Sequence, residues 1–245
     1  MGAEAVTEPR EGRAAPTPDG AVSPLAPRRY GLGVLRFAAA HGMLSPKYAA
    51  LALRYLRRRL FTVAGRRWET DGMLFLGPRL QIQIGRGARI RFGRFVWLGH
   101  GTKIRCHEGN VEIGPKTVLG QECTISAYQR VEIGQQCVIA DRVMFIDFDH
   151  TVTDPEMPIR RQGIYKRDVV VGSNVWIGYG AQILRGVTVG DNAIIGASAV
   201  VTRDIPANAV AAGTPARVVR MRPAPEHLSW PDPVEPEGYG PSGPR

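Results

Sequence analysis

From about Gly72 onward the apolar positions of the chain recur every six residues. Val171, Ile177, Ile183, Val189, Ile195 and Val201 are all aliphatic, and a series two residues earlier, Val169, Val175, Ala181, Val187, Ala193 and Ala199, is small or β-branched. A helix repeats its buried face every ~3.6 residues and a strand every ~2, so this is the period of a stacked repeat unit. The same frame runs back through Phe92, Leu98 and Ile104, then Ile113, Leu119 and Ile125, then Ile133, Ile139 and Phe145. Their partners two residues earlier are Ile90, Val96 and Thr102, then Val111, Thr117 and Cys123, then Val131, Cys137 and Val143. The step lengthens to nine residues from Ile104 to Ile113 and to eight from Ile125 to Ile133. Three hexads per turn with slack at one corner predict a three-sided coil, an all-β solenoid of the parallel β-helix type. Its aliphatic residues point inward, and Gly172, Asn174, Gly190, Asp191 and Asn192 are expected at corners, in backbone angles other residues resist.

Upstream the pattern is helical. Ser45 is placed to cap a helix with Pro46 at its first position, and Ala49, Leu53, Leu56 and Leu60 fall on one stripe, with Arg54, Arg57 and Arg58 opposite. This segment, 30–71, is expected to cover one open end of the coils, with solvated arginines favoured over a membrane-surface contact. The segment after Val201 is the candidate cap at the other end. Residues 1–29, rich in Ala, Pro, Glu and Arg, and residues 223–245, a Pro/Gly/Glu mixture, show no apolar periodicity and read as flexible tails. The solenoid domain is therefore drawn over 72–222.

Composition adds boundaries. With 44% hydrophobic but only 7% aromatic residues the core must be built from aliphatic side chains. No apolar run reaches the ~18 residues of a membrane span, and Glu4, Glu8 and Glu11 stand where a signal peptide needs apolar residues. Three cysteines make neither a disulfide framework nor a CxxC metal site, so a cytoplasmic setting is the default expectation. Cys123 and Cys137 fall on the small inward position and are expected to pack in the core; Cys106 lies off that frame, which leaves its exposure open. The formal charge of +10 suits anionic partners. No helix-turn-helix or aromatic RNA-binding pattern appears, so nucleic acid is not expected.

One interruption dwarfs the corner slack: 26 residues separate Phe145 from Val171. The loop, drawn over 146–168, opens Ile146-Asp147-Phe148-Asp149-His150-Thr151 and carries Asp154 further on. A histidine among aspartates beside a rigid platform is a candidate general base with candidate orienters, Asp147 and Asp149.

The runs Asn174-Val175-Trp176-Ile177-Gly178, Gly186-Val187-Thr188-Val189-Gly190-Asp191-Asn192, Val200-Val201-Thr202-Arg203-Asp204-Ile205-Pro206 and Ala212-Gly213-Thr214-Pro215-Ala216-Arg217-Val218-Val219-Arg220 resemble those of the hexapeptide-repeat acyltransferases. That family includes maltose, galactoside, nodulation and colanic-acid-type O-acetyltransferases. The resemblance implies a left-handed β-helix, a homotrimer, and acetyl-CoA bound in the groove between subunits, without a metal. It implies that His150 is the catalytic histidine and that Trp176, Tyr179, Ala197, Thr202, Arg203, Arg217 and Arg220 line the coenzyme site. The expected chemistry is direct transfer to a hydroxyl or amine of a small-molecule or glycan acceptor, a sugar or a cell-envelope polysaccharide intermediate. The N-terminal segment lacks the Met/Tyr/Arg pattern of the maltose-type enzymes, which argues against a simple sugar. Two rivals share the architecture. A metal lyase of the γ-carbonic-anhydrase kind needs three histidine ligands, including a pair with four residues between them, which His41, His100, His107, His150 and His227 do not supply. A non-catalytic β-helix scaffold needs no site at all.

Overall fold

The structure is a computed structural model and describes residues 68–223, together with Pro46, Tyr48–Ala50 and Leu53 of an upstream helix. Ser45, Arg54 to Arg59, Leu56 and Leu60, and both tails apart from Pro223, lie outside the described residues. About six turns of chain stack as a parallel β-helix, each giving one strand to each of three sheets. The first sheet holds β1 (Trp68–Thr70), β4 (Arg89–Phe92), β7 (Asn110–Ile113), β10 (Arg130–Ile133), β15 (Val169–Val171) and β18 (Thr188–Val189). The second holds β2 (Phe75–Leu76), β5 (Trp97–Leu98), β8 (Val118–Leu119), β11 (Val138–Ile139), β16 (Trp176–Ile177) and β19 (Ile194–Ile195). The third holds β3 (Gln81–Ile84), β6 (Lys103–Cys106), β9 (Thr124–Ala127), β12 (Met144–Ile146), β17 (Gln182–Ile183) and β20 (Val200–Val201).

Register is strict. Val131 sits beside Val169 and Ile133 beside Val171, Ile139 beside Ile177, and Phe145 beside Ile183. The inward aliphatic residues from Phe92 to Val201 and their partners two positions earlier are all buried, in one continuous core. Each buried aliphatic side chain stabilises the fold by about 1.5–3 kcal/mol relative to exposure.

Polar residues enter this core on one condition. Thr102 Oγ1 donates to Gly120 O (3.0 Å) and Thr117 Oγ1 to Gly134 O (2.7 Å); Cys123 Sγ donates to Ala140 O and Cys137 Sγ to Gly172 O, both at 3.1 Å. In each case a small inward side chain spends its single proton on a corner carbonyl of the next coil, so nothing is buried unpaired.

Three features depart from the sequence pattern. The described coils already include Trp68, ahead of Gly72: Trp68 pairs with Ile90 and Thr70 with Phe92, and the periodicity hides this turn because Thr70 is polar where an aliphatic residue is expected. Cys106 is buried, with Sγ donating to Gly109 O at 3.0 Å. The early strands of the third sheet run four residues, so alternation turns Cys106 and Ala127 inward beyond the hexad frame. The corners also work differently from expectation. Asn174 and Asn192 do adopt positive φ (56° and 60°), but Gly190 does not; its role is close approach, since a Cβ there would stand 2.4 Å from Ala207 N.

At the C-terminal end the chain itself extends the stack. β21 (Ala209–Gly213) continues the second sheet beside β19, and β22 (Ala216–Met221) folds back antiparallel on it. At the other end Tyr48 stands edge-on to Phe75 at 6.2 Å, whereas Ala49 and Leu53, expected on the packed stripe, are exposed; the ring, not the small or branched side chain, makes the contact.

Burial pushes the Cys106 and Cys123 thiols up to about 11 and raises that of Cys137. With folded values above the ordinary one, this contribution to stability is complete below the unfolded thiol pKa and declines as the pH rises toward 11. A thiol-exchange reagent at pH 8 should label none of the three cysteines in the folded protein and all of them in denaturant. One equivalent reacting promptly under native conditions would contradict the burial of Cys106.

Candidate active site

The long interruption leaves the prism at the corner between the third and first sheets. Ile146 pairs with Ser126, so the next residue, Asp147, takes the inward place that Ala127 holds one coil earlier. Its carboxylate is fully buried. Oδ1 accepts from the Tyr128 N–H (2.8 Å), and Oδ2 accepts from the Gln129 (2.7 Å) and Arg130 (2.8 Å) N–H groups. Arg167 N donates to Asp147 O at 2.8 Å, so one residue ties the exit and the return of the loop to the coil beneath. Three charge-assisted bonds inside a dry corner make this a clamp.

Beyond the clamp the loop is a hairpin: β13 (Phe148–His150) pairs antiparallel with β14 (Ile164–Lys166), with His150 opposite Ile164. Its tip, with a 3-10 turn at Ile159–Arg161, is closed by Gln162, whose Nε2 donates to Asp154 O (2.7 Å) and Met157 O (2.8 Å). A series of rings leads to His150. His107 lies flat on Tyr128 (4.3 Å, 13°), Tyr128 meets Phe148 edge-on (4.6 Å), and the Phe148 ring stands 6.5 Å from that of His150. The His150 imidazole is exposed and makes no hydrogen bond among the described residues.

The aspartates singled out as orienters have other partners. Asp147 is spent on the three backbone N–H groups, Asp149 forms an ion pair with Arg185, and Asp154 Oδ1 accepts from Glu156 N at 2.9 Å. Asp149 and His150, adjacent in a strand, also point to opposite faces. No carboxylate of the loop therefore fixes the imidazole within one chain. The sequence held no signal for Arg185, nor for the ring stack, because both depend on which residues adjacent coils align.

The residues expected to line a coenzyme site fall into two groups. Trp176 projects from the outer face of the second sheet and is 53% exposed; Tyr179 and Ala197 occupy the corner between the second and third sheets, and Arg217 and Arg220 lie exposed on β22 beside the second sheet. Thr202 and Arg203 instead follow β20, at the same corner as the hairpin but two coils further on. The width of the third sheet separates His150, Thr202 and Arg203 from Trp176, Tyr179 and Ala197 within a single chain.

Residues 168–203 match the family described as bacterial transferase hexapeptide (six repeats). The chain is 38% identical over 200 residues to a probable acetyltransferase of Mycobacterium tuberculosis, Rv3034c, covering 81% of this chain and 64% of that protein. It is 46% identical over 127 residues to nodulation protein L of Rhizobium meliloti, covering 49% of this chain and 68% of that one. Among solved structures it resembles a galactoside acetyltransferase in complex with coenzyme A, at 25% identity and a TM-score of 0.51, over 77% of this chain and 90% of that one. The hexads, the coil stack they build and these relatives together place the chain in the hexapeptide-repeat acetyltransferase family.

Proposed function

We propose that the protein transfers an acyl group from acetyl-CoA to a hydroxyl or amine of a sugar or cell-envelope polysaccharide intermediate, with His150 as general base. The observation that carries this is the placement of His150: an exposed imidazole with both ring nitrogens uncommitted, on a hairpin that Asp147 locks to a rigid coil. Neutral His150 takes the proton as the acceptor oxygen or nitrogen attacks the thioester carbonyl carbon. The tetrahedral intermediate then expels the thiolate of CoA, which the imidazolium reprotonates, and no acyl-enzyme forms. The relatives, among them a galactoside acetyltransferase solved with CoA, support a coenzyme A donor and a glycan acceptor.

The site is proposed to be shared between protomers of a homotrimer. Two observations favour this. The coenzyme candidates divide between two corners of one chain, and a second copy is the simplest way to bring them together. The second sheet also carries an apolar column on its outer face, Val118, Val138, Trp176 and Ile194 in register, whereas the first sheet presents Glu69, Arg91, Glu112 and Glu132 in the same direction. Val138 and Trp176 are each more than half exposed in a single chain. An apolar column of this kind marks a surface that a partner or ligand covers.

His150→Ala is expected to lower acceptor-dependent release of free CoA thiol by about 10²- to 10⁴-fold, while CoA still stabilises the variant against heat by about 2.7 kcal/mol at 100 times its dissociation constant. Near-wild-type thiol release would remove His150 from the mechanism, and absence of any CoA stabilisation of the wild type would favour the scaffold reading. Asp147→Asn should behave differently. It leaves at least one of the clamped N–H groups without an acceptor, so a loss of about 2–3 kcal/mol in chemical denaturation should accompany the loss of activity. A variant as stable as wild type would show that the clamp does not hold the hairpin.

A further inference from the structure

A second group of charges lies on the first four coils, at the corner between the second and third sheets, away from the hairpin. Arg79, Gln81, His100, Lys103, Glu122 and Arg142 line an open groove of about 460 Å³. Three fixed cations face one carboxylate, and that carboxylate is already engaged: Arg142 Nε donates to Glu122 Oε2 at 2.8 Å. The Arg142 guanidinium is further steadied 5.9 Å from the Tyr179 ring. Arg79 and Lys103 form no ion pair among the described residues. On the first sheet, by contrast, Arg91 reaches Asp71 at 3.3 Å, and Arg130 binds Glu132 and lies 3.9 Å from Asp168.

The groove is also stiff. Gly101 N donates to Pro78 O, Glu122 N to His100 O and Arg142 N to Gln121 O, at 3.0, 2.7 and 2.8 Å, so each corner is bonded to the one before it. Coil spacing of about 4.8 Å puts the backbones of Arg79 and Arg142 roughly 14 Å apart, with Lys103 between them on the outer face of β6. Three cations spread along that length on a rigid corner, two of them without an ion-pair partner among the described residues, suit an anion with several oxygens spaced along it better than a single carboxylate.

We infer that this groove binds the phosphoryl groups, a phosphate or diphosphate, of the acceptor. Naming the acceptor as their owner rests on the acyl-transfer reading above; the anion site itself does not, and is measured without turnover. The same chemistry is present in the diphosphate of CoA, so the two sources have to be told apart.

Titration calorimetry of the full chain with inorganic pyrophosphate, with and without saturating CoA, does this. One pyrophosphate per chain is expected, bound equally well with CoA present and more weakly as salt is raised. Arg79→Ala with Lys103→Ala should weaken it about tenfold or more, Lys103→Glu should do the same, and Arg79→Lys should retain most of it; CoA affinity should not change in any of them. Absence of pyrophosphate binding, binding indifferent to these substitutions, or displacement of pyrophosphate by CoA would overturn the inference. Loss of CoA affinity in the same variants would overturn it too, by giving the groove to the coenzyme. Because pyrophosphate binding is read in the absence of acyl transfer, its outcome is independent of what His150→Ala does to activity.

Discussion

The molecule depends on one constraint: every inward side chain must sit on its equivalent in the next coil. Parallel pairing in strict register, Val111 to Val131 to Val169 on one sheet and Leu119 to Ile139 to Ile177 on another, leaves the interior no room for a change of size or polarity without an answer from the coil beside it. Thr102, Thr117, Cys123 and Cys137 satisfy the rule through their corner carbonyl partners. Since each coil contacts only its neighbours, a break in the series is tolerated where both ends of the break are fastened.

Asp147 is that fastening. The residue stands in the core column, where a charge would ordinarily be excluded, and is tolerated because three backbone N–H groups converge on it. The result is a hairpin that leaves a rigid wall at a fixed place and carries His150 at the end of its first strand. Core and proposed chemistry are thus joined by one buried carboxylate. The three faces differ: the first sheet presents mainly charged residues, the second an apolar column, and a cationic groove runs where the second meets the third.

Much of this was legible in the sequence because an inward position in a repeating coil has almost no freedom; the aliphatic hexads from Phe92 to Val201 all lie in the core. What escaped the pattern did so for physical reasons. The first coil was hidden by Thr70, and Cys106 by third-sheet strands that run past the hexad. The corners were expected to belong to glycine and Asx, yet Arg79, Phe95, Lys116, Glu122, Gln136 and Arg142 adopt positive φ there; at about 1–2 kcal/mol each, the strain is small beside the stacking it accompanies. His150 was identifiable as a candidate from its loop alone. The employment of Asp147, Asp149 and Asp154 was not, since a carboxylate's partners are set by residues 17 to 36 positions away as well as by near neighbours.

The central claim is that one protomer offers the imidazole and the next the surface around Trp176. Subunit complementation tests it most directly. His150→Ala and Trp176→Ala chains, each inactive alone, are mixed under conditions that exchange subunits. A site divided between protomers predicts that activity returns to about a quarter of wild type in a random equimolar mixture, since one pairing in four joins an intact hairpin to an intact second-sheet face. If both groups serve the same chain's site, no mixed assembly contains a complete one, and a mixture as inactive as its components would contradict the account.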